Sequence, residues 1–145
     1  MAGVRERMTH EPEVYGPVVE AIADISLSCH KLFSSNAELT ESLTGTLEGL
    51  IDANQRHLHT IGVSHEAIES VVRIAKGFGL HAKLTGAGGG GCVITMLPPS
   101  VSEVTLRGFI QALDAASLGA SFETEIGCPG ASSHPGKLCD VLPAR

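Results

Sequence analysis

The sequence predicts an α+β domain with helices on one face of a small antiparallel sheet. Three observations carry this. Between residues 12 and 76, apolar residues recur every three or four positions, the period of a helix. Residues 80–97 hold two apolar runs joined by a cluster of glycines. Residues 120–126 alternate, with Phe122, Thr124 and Ile126 set against Ser121, Glu123 and Glu125, the period of a half-buried strand. At 145 residues, one domain is expected. It is taken as residues 1–134, with 135–145 as an irregular tail.

In chain order, residues 1–10 carry Arg5, Glu6 and Arg7 but no apolar stretch, and no element is predicted there. Residues 12–33 form the first helix, with Val14, Val18, Ile22, Ile25, Cys29 and Leu32 on its stripe. Pro12 suits a first helical turn, although Pro17 shifts the start in a second reading. The next helix runs from about Glu38 to Ile61, where Gly62 stops it. Gly45 and Gly49 inside it mark expected close packing, and Asn54 on its stripe suggests a buried hydrogen bond. Ser64 is the expected cap of a third helix, ended by Gly77 and Gly79. Ser100, with Glu103 three residues on, reads as a capping box that opens a fourth.

The glycine cluster, Lys83-Leu-Thr-Gly-Ala-Gly-Gly-Gly-Gly-Cys92, is where chemistry is expected. Glycine reaches positive φ freely and lets the backbone approach a ligand closely. Successive amides on such a loop form a concavity that attracts anions. A flexible linker or a glycine-rich turn are the plain alternatives, but turns need only one or two such residues. Gly86 to Gly91 fits G-x-G-x-x-G literally, yet the dinucleotide motif needs a helix after the loop. Here Cys92-Val-Ile-Thr-Met-Leu97 follows, ended by Pro98-Pro99, and reads as a strand. The protein-kinase loop also lies between strands but needs a lysine on a following strand, and none occurs between Lys83 and Lys137.

One pattern remains. The segment closely resembles the third signature motif of the GHMP small-molecule kinases, in the form carried by the mevalonate kinase branch. Ala2-Gly-Val-Arg5, Leu50-Ile-Asp-Ala-Asn-Gln55, Ile61-Gly-Val-Ser-His65, Ile126-Gly127 and Pro129-Gly130 agree with it. The resemblance runs from residue 2 to about residue 134 and implies the ferredoxin-like C-terminal domain of that family. It implies a kinase that passes the γ-phosphate of ATP to mevalonate in isoprenoid and sterol precursor synthesis. ATP and Mg2+ would be held mainly by an N-terminal domain preceding this stretch, together with the catalytic Asp and the metal ligands. That domain is the implied partner, and a homodimer is a second implied association. Only the motif positions carry over, as a phosphate-side loop of Thr85, Gly86, Ala87, Gly88, Gly89, Gly90 and Gly91. No catalytic residue and no metal ligand carries over.

In the family a further strand precedes the segment matching Ala2-Gly-Val-Arg5. Three strands are readable here, so if the sheet order is ferredoxin-like, as the resemblance implies, the strand expected to be missing is an inner one whose two neighbours lose partners. The chain alone is therefore expected to be poorly stable and inactive. A non-catalytic ferredoxin-like module that binds a small molecule, or an inactive truncated product, are the alternatives.

Composition bounds the rest. Hydrophobic content of 43% with 18% charged residues describes a globular chain. A net charge of -6 argues against nucleic acid as a partner. No apolar run reaches membrane-spanning length and no signal peptide is visible, so a cytoplasmic site is expected. Cys29, Cys92, Cys128 and Cys139 form no C-x-x-C pair and read as reduced thiols. The seven histidines, His57, His59 and His65 among them, lack a zinc-binding pattern and read as solvated or packed. Thr85 can meet phosphate or bond the local backbone, and the resemblance favours phosphate. Lys83 can face phosphate or solvent.

Overall fold

The computed structural model describes residues 2–35, 40–86, 88, 89 and 91–124. Five helices and one two-stranded antiparallel sheet follow one another: α1 (Ala2–His10), α2 (Pro12–Ser34), α3 (Glu41–Thr60), α4 (Glu66–Gly77), β1 (His81–Thr85), β2 (Cys92–Met96) and α5 (Glu103–Ala115). The class is α+β, as the periodicities predict.

Helix α1 was not foreseen, because Ala2–His10 carries no apolar stripe. It ends where Pro12 disfavours the helical region for the residue before it. Glu11 sits at φ -135° and ψ 60°, and α2 starts directly afterwards. Pro17 lies inside α2 and does not displace its start. Helix α2 packs on α1 and α3, yet it buries no residue, and Val14, Leu27 and Phe33 are 55%, 50% and 60% exposed.

Helix α3 begins at Glu41, capped by the Thr40 side chain, which accepts the Leu43 amide at 3.3 Å; the expected start at Glu38 lies outside the described residues. Its end is closed by two backbone bonds around Gly62, which has φ +72°. The Gly62 amide reaches the His59 carbonyl at 2.9 Å and the Val63 amide reaches Leu58 at 3.1 Å, the paired bonds of a Schellman motif. Gly79 closes α4 in the same way, with Leu80 donating to Ala75 at 2.9 Å. The expected close packing at Gly45 and Gly49 is not found. A Cβ on either would meet nothing within 4 Å.

Two predicted caps move. The α4 cap is His65, whose Nδ1 accepts the Ala67 amide at 3.2 Å, because the Ser64 hydroxyl is turned to Glu69. The α5 cap is Ser102, accepting the Thr105 amide at 3.0 Å, and not Ser100. Pro98 and Val101 close a tight turn at 2.9 Å, so Ser100 lies in that turn, ahead of the helix.

Strands β1 and β2 pair with Leu84 opposite Val93 and Thr85 opposite Cys92. Residues directly opposite share a face. One face holds Ala82, Leu84 and Val93; Ala82, Leu80, Ala75, Phe109 and Leu113 form the core of buried residues with α4 and α5. Phe78 and Phe109 meet edge to face, centroids 6.0 Å apart. The other face carries Lys83 and Ile94, and Ile94 is 50% exposed. The predicted third strand is not formed over residues 120–124, which have no regular structure, and Phe122 is 84% exposed. Residues 120–124 are all exposed, so their alternation buries no face that would hold them against the sheet. The remainder of that prediction, Glu125 and Ile126, lies outside the described residues, as do the matching segments after it and the proposed 135–145 tail.

Candidate functional site

The β1–β2 connection begins at Thr85, the last residue of β1, which is paired with Cys92 across the mouth of the loop. Gly86, Gly88, Gly89 and Gly91 have φ of +97°, +82°, +74° and +112°. Side chains with a Cβ are strained in that region, so four positions require glycine on conformation alone. Ala87 and Gly90 lie outside the described residues. Gly86, Gly89 and Gly91 are exposed.

The loop is not free-standing. The Gly89 amide donates to the Val63 carbonyl at 3.0 Å. A Cβ on Gly88 would collide with that same carbonyl oxygen and with Val63 Cβ. The glycine loop therefore rests, backbone on backbone, against the turn between α3 and α4. Gly89 is engaged in this contact, so its amide serves as a tether.

Behind the loop, Gln55 joins three parts of the chain. Its Oε1 accepts the Leu84 amide at 2.8 Å on the β1 edge that β2 does not use. Its Nε2 donates to Ser64 Oγ at 3.1 Å and to Glu69 Oε1 at 2.9 Å. Ser64 also donates to Glu69, and His59 Nδ1 lies 3.1 Å from the same oxygen. Burial raises the Glu69 pKa, but the bonds from Ser64, Gln55 and His59 outweigh it and hold the carboxyl below its ordinary value. The buried hydrogen bond expected of Asn54 is thus made by its neighbour. Sequence reasoning missed Gln55 as a hub because no spacing rule links residues 55, 64, 69 and 84; the polar residue at a buried helical position was the only available signal.

Lys83 is half-buried. Its Nζ folds back onto the Leu84 carbonyl at 2.7 Å, and partial burial lowers its pKa, against an opposing effect from Cys29. His81 Nδ1 pairs with Asp52 at 3.0 Å. The described residues contain no group of three His, Cys, Asp or Glu side chains able to hold a metal. No described helix is long and apolar enough to cross a membrane. A groove of ≈ 460 Å³, lined by Arg56, His59, Glu69, Lys76 and Leu80 among others, lies beside α3 and α4 and does not include the glycine loop.

The profile described as GHMP kinases C terminal matches residues 32–115, which include both strands, the glycine loop and α3 to α5. The chain is 41% identical to mevalonate kinase from Mus musculus over 136 residues, covering 92% of this chain and 34% of the relative. It is 39% identical to the Homo sapiens enzyme over 141 residues, 97% and 35% of the two. It is 30% identical to the Saccharomyces cerevisiae enzyme over 142 residues, 90% and 32%. The chain thus spans about a third of the length of the curated relatives it matches.

Proposed function

Because this chain belongs to the GHMP kinase family as its C-terminal domain, we propose that it is the C-terminal part of a mevalonate kinase. Its glycine loop contributes the phosphate-side wall of the nucleotide site. Thr85, Gly86, Ala87, Gly88, Gly89, Gly90 and Gly91 make up that wall. The supporting observation is the loop's backbone: four described glycines at positive φ, with Gly86, Gly89 and Gly91 exposed and Gly89 tethered to the α3–α4 turn. Phosphoryl transfer depends mainly on positioning and on donors aimed at developing charge. A backbone held without side chains at its rim suits that task.

In this reading ATP and Mg2+ are bound mainly by an N-terminal GHMP domain, which also supplies the catalytic carboxylate. Mevalonate is the acceptor. The reaction belongs to isoprenoid and sterol precursor synthesis, in the cytoplasm. Residues 1–134 act as one domain. A homodimer is a second association in this reading, and α2 keeps Val14, Leu27 and Phe33 exposed.

Turnover tests this. A coupled assay with ATP and mevalonate is expected to detect no activity from this chain alone. Activity is expected when an N-terminal half of a relative is joined to it. In that joined enzyme Gly89→Val, which strains the backbone at the tether, lowers kcat by at least about tenfold, roughly 1.4 kcal/mol of transition-state stabilisation. A folded, joined enzyme with normal kcat and KM for both substrates after Gly89→Val overturns the role given to the loop.

A further inference from the structure

Helix α1 has no assigned task, yet one of its side chains reaches 54 residues along the chain. Arg7 donates to the Ile61 carbonyl at the end of α3, and the same guanidinium lies over Gly62. A Cβ on Gly62 would occupy the space of the Arg7 side chain. Ile61 is the C-cap of α3. The last carbonyls of a helix have no partner within it and carry the negative end of its dipole, so a guanidinium there is favoured twice.

The next two residues carry the effect onward. Val63 follows Gly62, and its carbonyl holds the Gly89 amide at 3.0 Å. Its oxygen and Cβ also form the surface on which Gly88 rests. The peptide planes from Ile61 to Val63 are rigid units with two soft torsions per residue. Fixing the Ile61 carbonyl and covering Gly62 therefore restricts where the Val63 carbonyl points.

We infer that Arg7 is a positioning residue for the glycine loop: it clamps the α3–α4 turn, and the turn holds Gly88 and Gly89. The guanidinium fork matters because it bonds the carbonyl and covers the glycine together, whereas an ammonium offers a point charge. The consequence for phosphate handling rests on the function proposed above, but the positioning itself does not.

Amide hydrogen exchange on the 15N-labelled full chain, read by NMR, tests it. Arg7→Met keeps an apolar stem and removes the donor. It is expected to speed exchange of the Gly89 amide about tenfold or more, while the paired amides of β1 and β2 change less than about twofold, since local openings carry their own free energies. Arg7→Lys, the milder variant, should recover part of the protection, and it carries the test if Arg7→Met loses its helical circular dichroism. Unchanged Gly89 exchange overturns the proposal. So does an equal acceleration at every amide, which would make Arg7 a global stabiliser only. Should the joined enzyme ignore Gly89→Val while Arg7→Met still releases the Gly89 amide, the loop's function is wrong and the clamp stands.

Discussion

Gln55 carries more of this molecule than its size suggests. Its amide is the right shape to accept a strand amide with one end and donate to two helix-side oxygens with the other. Gln55→Leu keeps the volume and removes all three bonds. The buried Leu84 amide would then lack its acceptor, which costs about 1–3 kcal/mol. Chemical denaturation of the variant against the parent chain should register that loss; a difference under about 0.5 kcal/mol would mean that water replaces the side chain. Glu69 gives a second expectation. Its folded pKa lies below the ordinary 4.5, so its contribution is present above that value and is lost as pH falls from there through the lower folded pKa. The parent chain should lose thermal stability on acidification through that window more steeply than Glu69→Gln, whose side chain does not titrate. Parallel pH profiles for the two proteins would count against the hydrogen-bonded cluster as the cause.

The elements differ in how far the sequence announces them. Helices α2 to α5 and the β1–β2 unit follow from period and glycine punctuation, because burial of one face selects both. Helix α1 does not, because Ala2–His10 contributes to the fold through Arg7 and through contact with α2 rather than through an apolar stripe. The strand expected at 120–126 is not formed over 120–124 for the opposite reason: alternation is present, but no face of that stretch is buried. The loop's glycines were legible one by one. Their seat on Val63 was not, since it joins residues 26 apart in sequence through backbone atoms. The α5 cap is Ser102 and not the expected Ser100, and substituting each serine tests which one acts. Ser102→Ala should destabilise the chain by about 1 kcal/mol. Ser100→Ala, in the turn before the helix, should change stability by less than about 0.5 kcal/mol. Equal losses from both would show that the turn and the cap act as one unit.

At the scale of the whole molecule, the apolar surface is only partly covered. The sheet has two strands among the described residues, and such a pair is marginal without further strands or helices against it. Helices α4 and α5 cover one face, while Ile94 on the other face is half exposed. Helix α2 buries none of its residues, and Phe33, Val104 and Phe122 are 60%, 79% and 84% exposed. Exposed apolar side chains contribute little to folding, because the stabilisation scales with the area removed from water. Urea unfolding of this chain alone should therefore give a free energy below the about 5 kcal/mol at which native domains usually begin. Its slope should be shallow, since the slope follows the surface newly exposed on unfolding. A partner that binds only the folded form raises the midpoint by mass action. An N-terminal GHMP half from a relative, added in excess, should shift the urea midpoint upward in a concentration-dependent way. A steep single transition worth well over about 5 kcal/mol without any partner would mean that the described helices suffice, and that the exposed faces of α2 and β2 play no part in holding the domain together.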